Sequence, residues 1–190
     1  MTSHKRRKWG AILGSVLVLR LIVLVTAMAM TYWMPGFASA AGVTRVIGGG
    51  TGTFDADLDG DGRIDGSQFG MGVVILGNGA ASGHFLCLMA GRSEILGLHL
   101  MSVQGQVTGG VLNADGTAMF SGTAAVNLGN GTIFRGVPFR VSVRPGGPGT
   151  GTLQLTVVGA FDGVPGDTVP GNSNYDLPPE TVRSGQIAMA

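Results

Sequence analysis

Four aspartates are crowded into nine residues of this chain, and their spacing is that of an oxygen cage. The run reads Asp57-Leu58-Asp59-Gly60-Asp61-Gly62-Arg63-Ile64-Asp65-Gly66-Ser67-Gln68. Neighbouring carboxylates repel one another unless a cation lies among them. Calcium takes about six to eight oxygen ligands, and a twelve-residue loop supplies them from positions 1, 3, 5, 7, 9 and 12. Asp57, Asp59 and Asp61 take the first three of these places. Gly62 stands sixth, where the chain must turn sharply, and Arg63 offers its backbone carbonyl. Ile64 is the apolar residue that would anchor the loop, and Asp65 fits the ninth position directly or through water. Gln68 stands twelfth, where a bidentate carboxylate is expected. One amide oxygen in that place predicts weak affinity.

Over these twelve positions the chain resembles the EF-hand loop. Neither flank, Gly48-Gly49-Gly50-Thr51-Gly52-Thr53 before it or Phe69 to Leu76 after it, has the pattern of a helix. The spacing therefore predicts a Ca2+ loop set between strands, with Asp57, Asp59, Asp61, Arg63, Asp65 and Gln68 as ligands. A single copy argues against a dockerin. A solvated acidic turn is the alternative, because aspartate and glycine form turns readily.

Other chemistry is thinner. His84 and His99 follow the first forty residues, with Glu94 as the sole acid between them. A His/His/carboxylate metal site needs adjacent strands to unite them, but His99 alternates with leucines. Surface or structural histidines are the simpler reading. Arg135, Arg140 and Arg144 can share one basic strip, which is equally a solvated face. Cys87 lies in Phe85-Leu86-Cys87-Leu88-Met89 with no charged neighbour to lower its pKa, so it reads as a buried, inert thiol. Val73-Val74-Ile75-Leu76 and the following glycines mimic a dinucleotide-binding turn, yet no helix opens there. No nucleophile elbow is present.

These residues need a scaffold, and composition restricts it. Glycine supplies 35 of the 190 residues, and 44% are hydrophobic against 12% charged. Glycine in a helix interior costs about 1 kcal/mol relative to alanine, which argues against an all-helical protein. Of the 12 basic residues, Lys5, Arg6, Arg7, Lys8 and Arg20 precede residue 41; the seven that follow face all 11 acids. A nucleic-acid partner needs a basic face, and this acidic portion offers none.

The first forty residues read as an export signal. A basic start (His4 to Lys8) precedes the apolar run Ala11 to Met30, and Pro35-Gly36 then leads to Ala38-Ser39-Ala40. This is the layout read by signal peptidase, and it predicts a signal peptide over 1–40 and one β domain over 41–190. A retained anchor is the alternative, since Ala11 to Trp33 is long enough to span a bilayer; Arg20 near its middle disfavours insertion. One cysteine permits no internal disulfide in either case.

After residue 70 the apolar residues alternate between turn signals. The strand-like runs are Met71 to Leu76, Gly83 to Met89, Glu94 to Val107, Thr117 to Val126, Thr132 to Val143, Gly151 to Phe161 and Thr181 to Met189. Gly77-Asn78-Gly79, Asn113-Ala114-Asp115-Gly116 and Gly129-Asn130-Gly131 mark three of the turns. Period-two alternation places one face inward. The expectation is all-β: an antiparallel meander closing into a barrel or sandwich of about seven or eight strands. Two segments depart from it, the acidic insert 55–68 and the region 162–179, which reads as a long irregular loop.

Several segments together resemble the post-COAP type of small secreted bacterial β domain. These are Gly48-Gly49-Gly50-Thr51-Gly52, Ser82-Gly83-His84-Phe85, Ala118-Met119-Phe120-Ser121-Gly122-Thr123, Phe139-Arg140-Val141-Ser142-Val143 and Ser184-Gly185-Gln186-Ile187. The family usually carries an acidic turn where this chain has Arg144-Pro145-Gly146-Gly147, and usually lacks the calcium insert and the loop at 162–179. The resemblance implies an extracellular module without established catalysis.

The functional expectation is a secreted or cell-surface calcium-binding β domain with a non-catalytic binding or structural role. An extracellular protein or a glycan is the expected partner, and a membrane enters only through an uncleaved signal segment. The alternatives are a small β-barrel enzyme, cyclase or dirigent-like, and a docking module of an extracellular assembly. A cavity lined by His84, His99, Arg135 and Arg140 favours the enzyme; a filled barrel favours the first reading.

Overall fold

Apolar side chains on alternate residues form the inner wall of nine antiparallel strands. These are β1 (Val43–Thr53), β2 (Gln68–Leu76), β3 (Ala80–Ala90), β4 (Leu100–Leu112), β5 (Ala118–Asn127), β6 (Ile133–Arg144), β7 (Thr152–Val157), β8 (Tyr175–Asp176) and β9 (Glu180–Met189). The computed structural model describes residues 42–55, 57, 66–90, 100–129, 131–164 and 166–190, all within the unit Ala41–Ala190. No helix occurs among them. The expected signal peptide over 1–40 lies outside the described residues.

Strands β1 to β7 pair in chain order, β7 pairs β9, and β9 returns to β1. The ladder thus closes on itself and the meander becomes a barrel, so among the described residues every strand from β1 to β7 has a neighbour on both sides over part of its length. Nine strands make eight staves. Strand β8 pairs Val157 and Thr156, the amide of Leu177 donates to the Leu155 carbonyl, and β9 then pairs Leu153 and Thr152. One side of β7 is therefore covered by a single irregular strand, broken where Pro178-Pro179 have no N–H to give the ladder.

Three strands depart from expectation. Strand β1 occupies the glycine-rich stretch before the insert, where composition disfavours a strand; its ladders to β2 and β9 over Val43–Thr53 override that preference. The segment 162–179, expected as irregular, contains β8. Its acids brace it. Asp162 accepts from the amides of Gly171 at 2.7 Å and Ser173 at 2.9 Å. Asp167 accepts from Gly163, Val169 and Asp176, and Asp176 accepts from Thr156 Oγ1 at 2.8 Å. Strand β7 also ends at Val157, short of the expected Phe161, which takes a left-handed φ of 63°.

Among the described residues the barrel interior is packed with apolar side chains. Phe85 stacks on Phe139 at 5.7 Å and meets Phe120 edge-on at 5.9 Å. Phe139 reaches across to β4 because Gly105 stands there; a Cβ at residue 105 would collide with the ring. Val103 and Val107 flank that glycine on the same inner face, and Met71, Leu155 and Val141 complete the layer. Each such side chain contributes about 1.5–3 kcal/mol on burial.

The two ends of the barrel differ. Short turns at 77–79, 113–117 and 145–151 close one end, beside Val43 and Met189. The acidic insert, the β3–β4 connection and the 158–174 segment all leave from the other. Long connections gathered at one end of a rigid frame are where function usually resides.

Candidate functional site

The described residues on either side of the acidic insert form a neck. Phe54 anchors its start in the core at 1% exposure, and the Gly52 amide donates to the Ser67 carbonyl at 2.8 Å. Thr51 then pairs with Gln68 as β2 begins. Those pairings bring the two ends of the insert together at the barrel rim. Asp57 is half-buried beyond the neck. Gln68 is exposed and lies between Thr51 and Leu88 on the outer face. Asp59, Asp61, Arg63 and Asp65 lie outside the described residues. Among the described residues no three His, Cys, Asp or Glu side chains converge on a common point.

Beneath the neck is a feature that sequence reasoning missed. Glu180, the first residue of β9, points into the barrel and is 2% exposed. Its Oε2 accepts from Ser67 Oγ at 2.6 Å and from the Ser67 amide at 3.2 Å. The carboxyl occupies the space left by Gly52, where an added Cβ would collide with it. Burial pushes Glu180 up to about 7, and the two hydrogen bonds from Ser67 restrain that rise. Cys87 adjoins this pair. Its thiol is pushed up to about 12, first by burial and then by the Glu180 charge, and Cys87 is buried as expected. The available signal was parity: Glu180 precedes the inward Val182 by two residues, so an acid stands where the alternation demands an apolar residue.

The other polar residues singled out are not assembled. His84 projects from the outside of β3, while Arg135 and Arg140 are exposed on β6. Two strands lie between β3 and β6, which separates His84 from Arg140 by about 14 Å or more. His99 and Glu94 lie outside the described residues. Arg140 and Arg144 do share the outer face of β6. Among the described residues, then, these polar candidates do not converge at a barrel mouth, and the interior is lined by apolar side chains apart from Ser67 and Glu180.

No protein family matches this chain, and comparison with curated proteins and with solved structures finds no match either.

Proposed function

We propose that the protein is an exported β-barrel module with a non-catalytic binding or structural role at the cell surface, stabilised by calcium in the insert 55–68. The observation that carries the non-catalytic part is the filled interior. Phe85, Phe120 and Phe139 pack across the axis, and Gly105 lets them close the gap. A small-barrel enzyme needs a cavity with a few convergent polar groups. Here His84, Arg135 and Arg140 face solvent instead.

The calcium part rests on the aspartate spacing and on the neck. A pre-closed loop spends less conformational freedom on gathering its ligands around an ion. Asp57, Asp59, Asp61, Asp65, the Arg63 carbonyl and Gln68 would hold the ion. Calcium would offset the mutual repulsion of the carboxylates there and supply no catalysis. Export rests on the layout of residues 1–40, and the likeness to the post-COAP type points the same way. Sequencing the N-terminus of protein collected outside the cytoplasm tests export: Ala41 is the expected first residue, and recovery of Met1 or Thr2 refutes cleavage.

A further inference from the structure

The outside of strands β2 to β4 is hollowed. A groove of about 650 Å³ is lined there by Gly70, Gly72, His84, Leu86, Gln104 and Gln106. The ladder arranges these in two rows: Gly72 faces His84, which faces Gln106, and Gly70 faces Leu86, which faces Gln104. Gly49 lies beyond Gly70 on β1, so three neighbouring side chains are missing from the surface. Ile47 pairs with Gly72 on β1 and is 60% exposed.

We propose that this groove binds a neutral oligosaccharide. The inference rests on the binding-module reading and names its ligand class. Two amides and an imidazole offer donors and acceptors together, which is what a ring of hydroxyl groups requires. Leu86, 43% exposed, supplies an apolar spot for the C–H face of a sugar. The groove lining contains no aspartate or glutamate to pair a cation and no lysine or arginine to pair an anion, which suits a ligand bound through neutral hydrogen bonds. An extended peptide binds sheets by adding a strand to a free edge, and β2, β3 and β4, which carry the groove, are already paired on both sides.

Affinity electrophoresis of the full chain through gels containing hydroxyethylcellulose, laminarin, xylan or galactomannan, with anionic alginate as the charged control, tests this, followed by calorimetry with a hexasaccharide of the retarding polymer. At least one of these neutral polymers should retard the wild type. Gly72→Thr should lower the affinity at least tenfold without lowering the melting temperature. A Cβ at this position meets nothing within 4 Å, and threonine suits a strand. Gln104→Ala with Gln106→Ala should weaken binding to a similar degree, and decides the matter if Gly72→Thr proves unstable. Retardation by none of the four polymers overturns the proposal, as does retardation by anionic alginate alone. Unchanged binding by the variants overturns this groove as the site and leaves the binding-module reading standing. Failure of export or of calcium binding would instead count against that underlying reading.

Discussion

Glu180 seats its carboxyl against the bare Cα of Gly52, so an acid on β9 fills the inner face of β1 where no side chain can fit. The same carboxyl takes both donors of Ser67, the residue that closes the neck of the acidic insert. A titrating group is thereby built into the seam where the barrel closes.

Its pH dependence has a definite sign. Burial raises Glu180 from 4.5 to about 7, so the folded state holds this proton more tightly than the unfolded chain does. The stability it contributes is full below about pH 4.5, falls as pH rises through 7, and is flat above that. The loss amounts to about 3 kcal/mol at most. Glu180→Gln should therefore gain stability over the wild type at pH 8 and lose that advantage at pH 5. Urea melts of both proteins at the two pH values provide the check, and a constant difference between them would contradict the assignment.

The Gly105–Phe139 contact makes a second prediction. Gly105→Ala ordinarily favours a strand slightly, but here the methyl group meets the Phe139 ring. The loss should be about 1–3 kcal/mol, as for other overpacked cores. Phe139→Leu should relieve it, giving a coupling of about 1 kcal/mol in a double-mutant cycle. Additive effects would show that the two residues do not compete for the same space.

Cys87 is 1% exposed, and its thiol is pushed up to about 12. Iodoacetamide at pH 8 should leave it unmodified in the folded protein and label it fully in denaturant, because the thiolate is the reacting species. Mass spectrometry of intact protein reads this directly. Rapid labelling without denaturant would mean that the β3 wall opens.

Most of the barrel was legible because period-two alternation is a local signal. Val137, Phe139, Val141 and Val143 announce β6 without reference to anything outside it. Strand β1 was not legible, since glycines at 48, 49, 50 and 52 carry no side chain to alternate. Their use emerges only in three dimensions, where Gly52 makes room for Glu180. Strand β8 was hidden for a related reason: two residues before a proline pair carry no period, and their partners on β7 are distant in sequence. The insert was legible as chemistry, because aspartate spacing is itself the signal. Its neck was not, since it depends on Glu180, which is 113 residues from Ser67.

Calcium binding by the insert is the central claim, and titration calorimetry of calcium into the full chain, paired with melting curves, tests it most directly. With Gln68 in place of a bidentate carboxylate, the dissociation constant should fall in the range of roughly 10⁻⁴–10⁻³ M found for extracellular modules. One to ten times that concentration should stabilise the fold by about 0.4–1.4 kcal/mol. Asp57→Ala with Asp61→Ala should abolish both the heat and the rise in melting temperature while leaving the β spectrum intact, and Gln68→Glu should tighten binding. No heat and no change in melting temperature for the wild type at millimolar calcium would contradict the account and leave residues 57–68 an acidic turn.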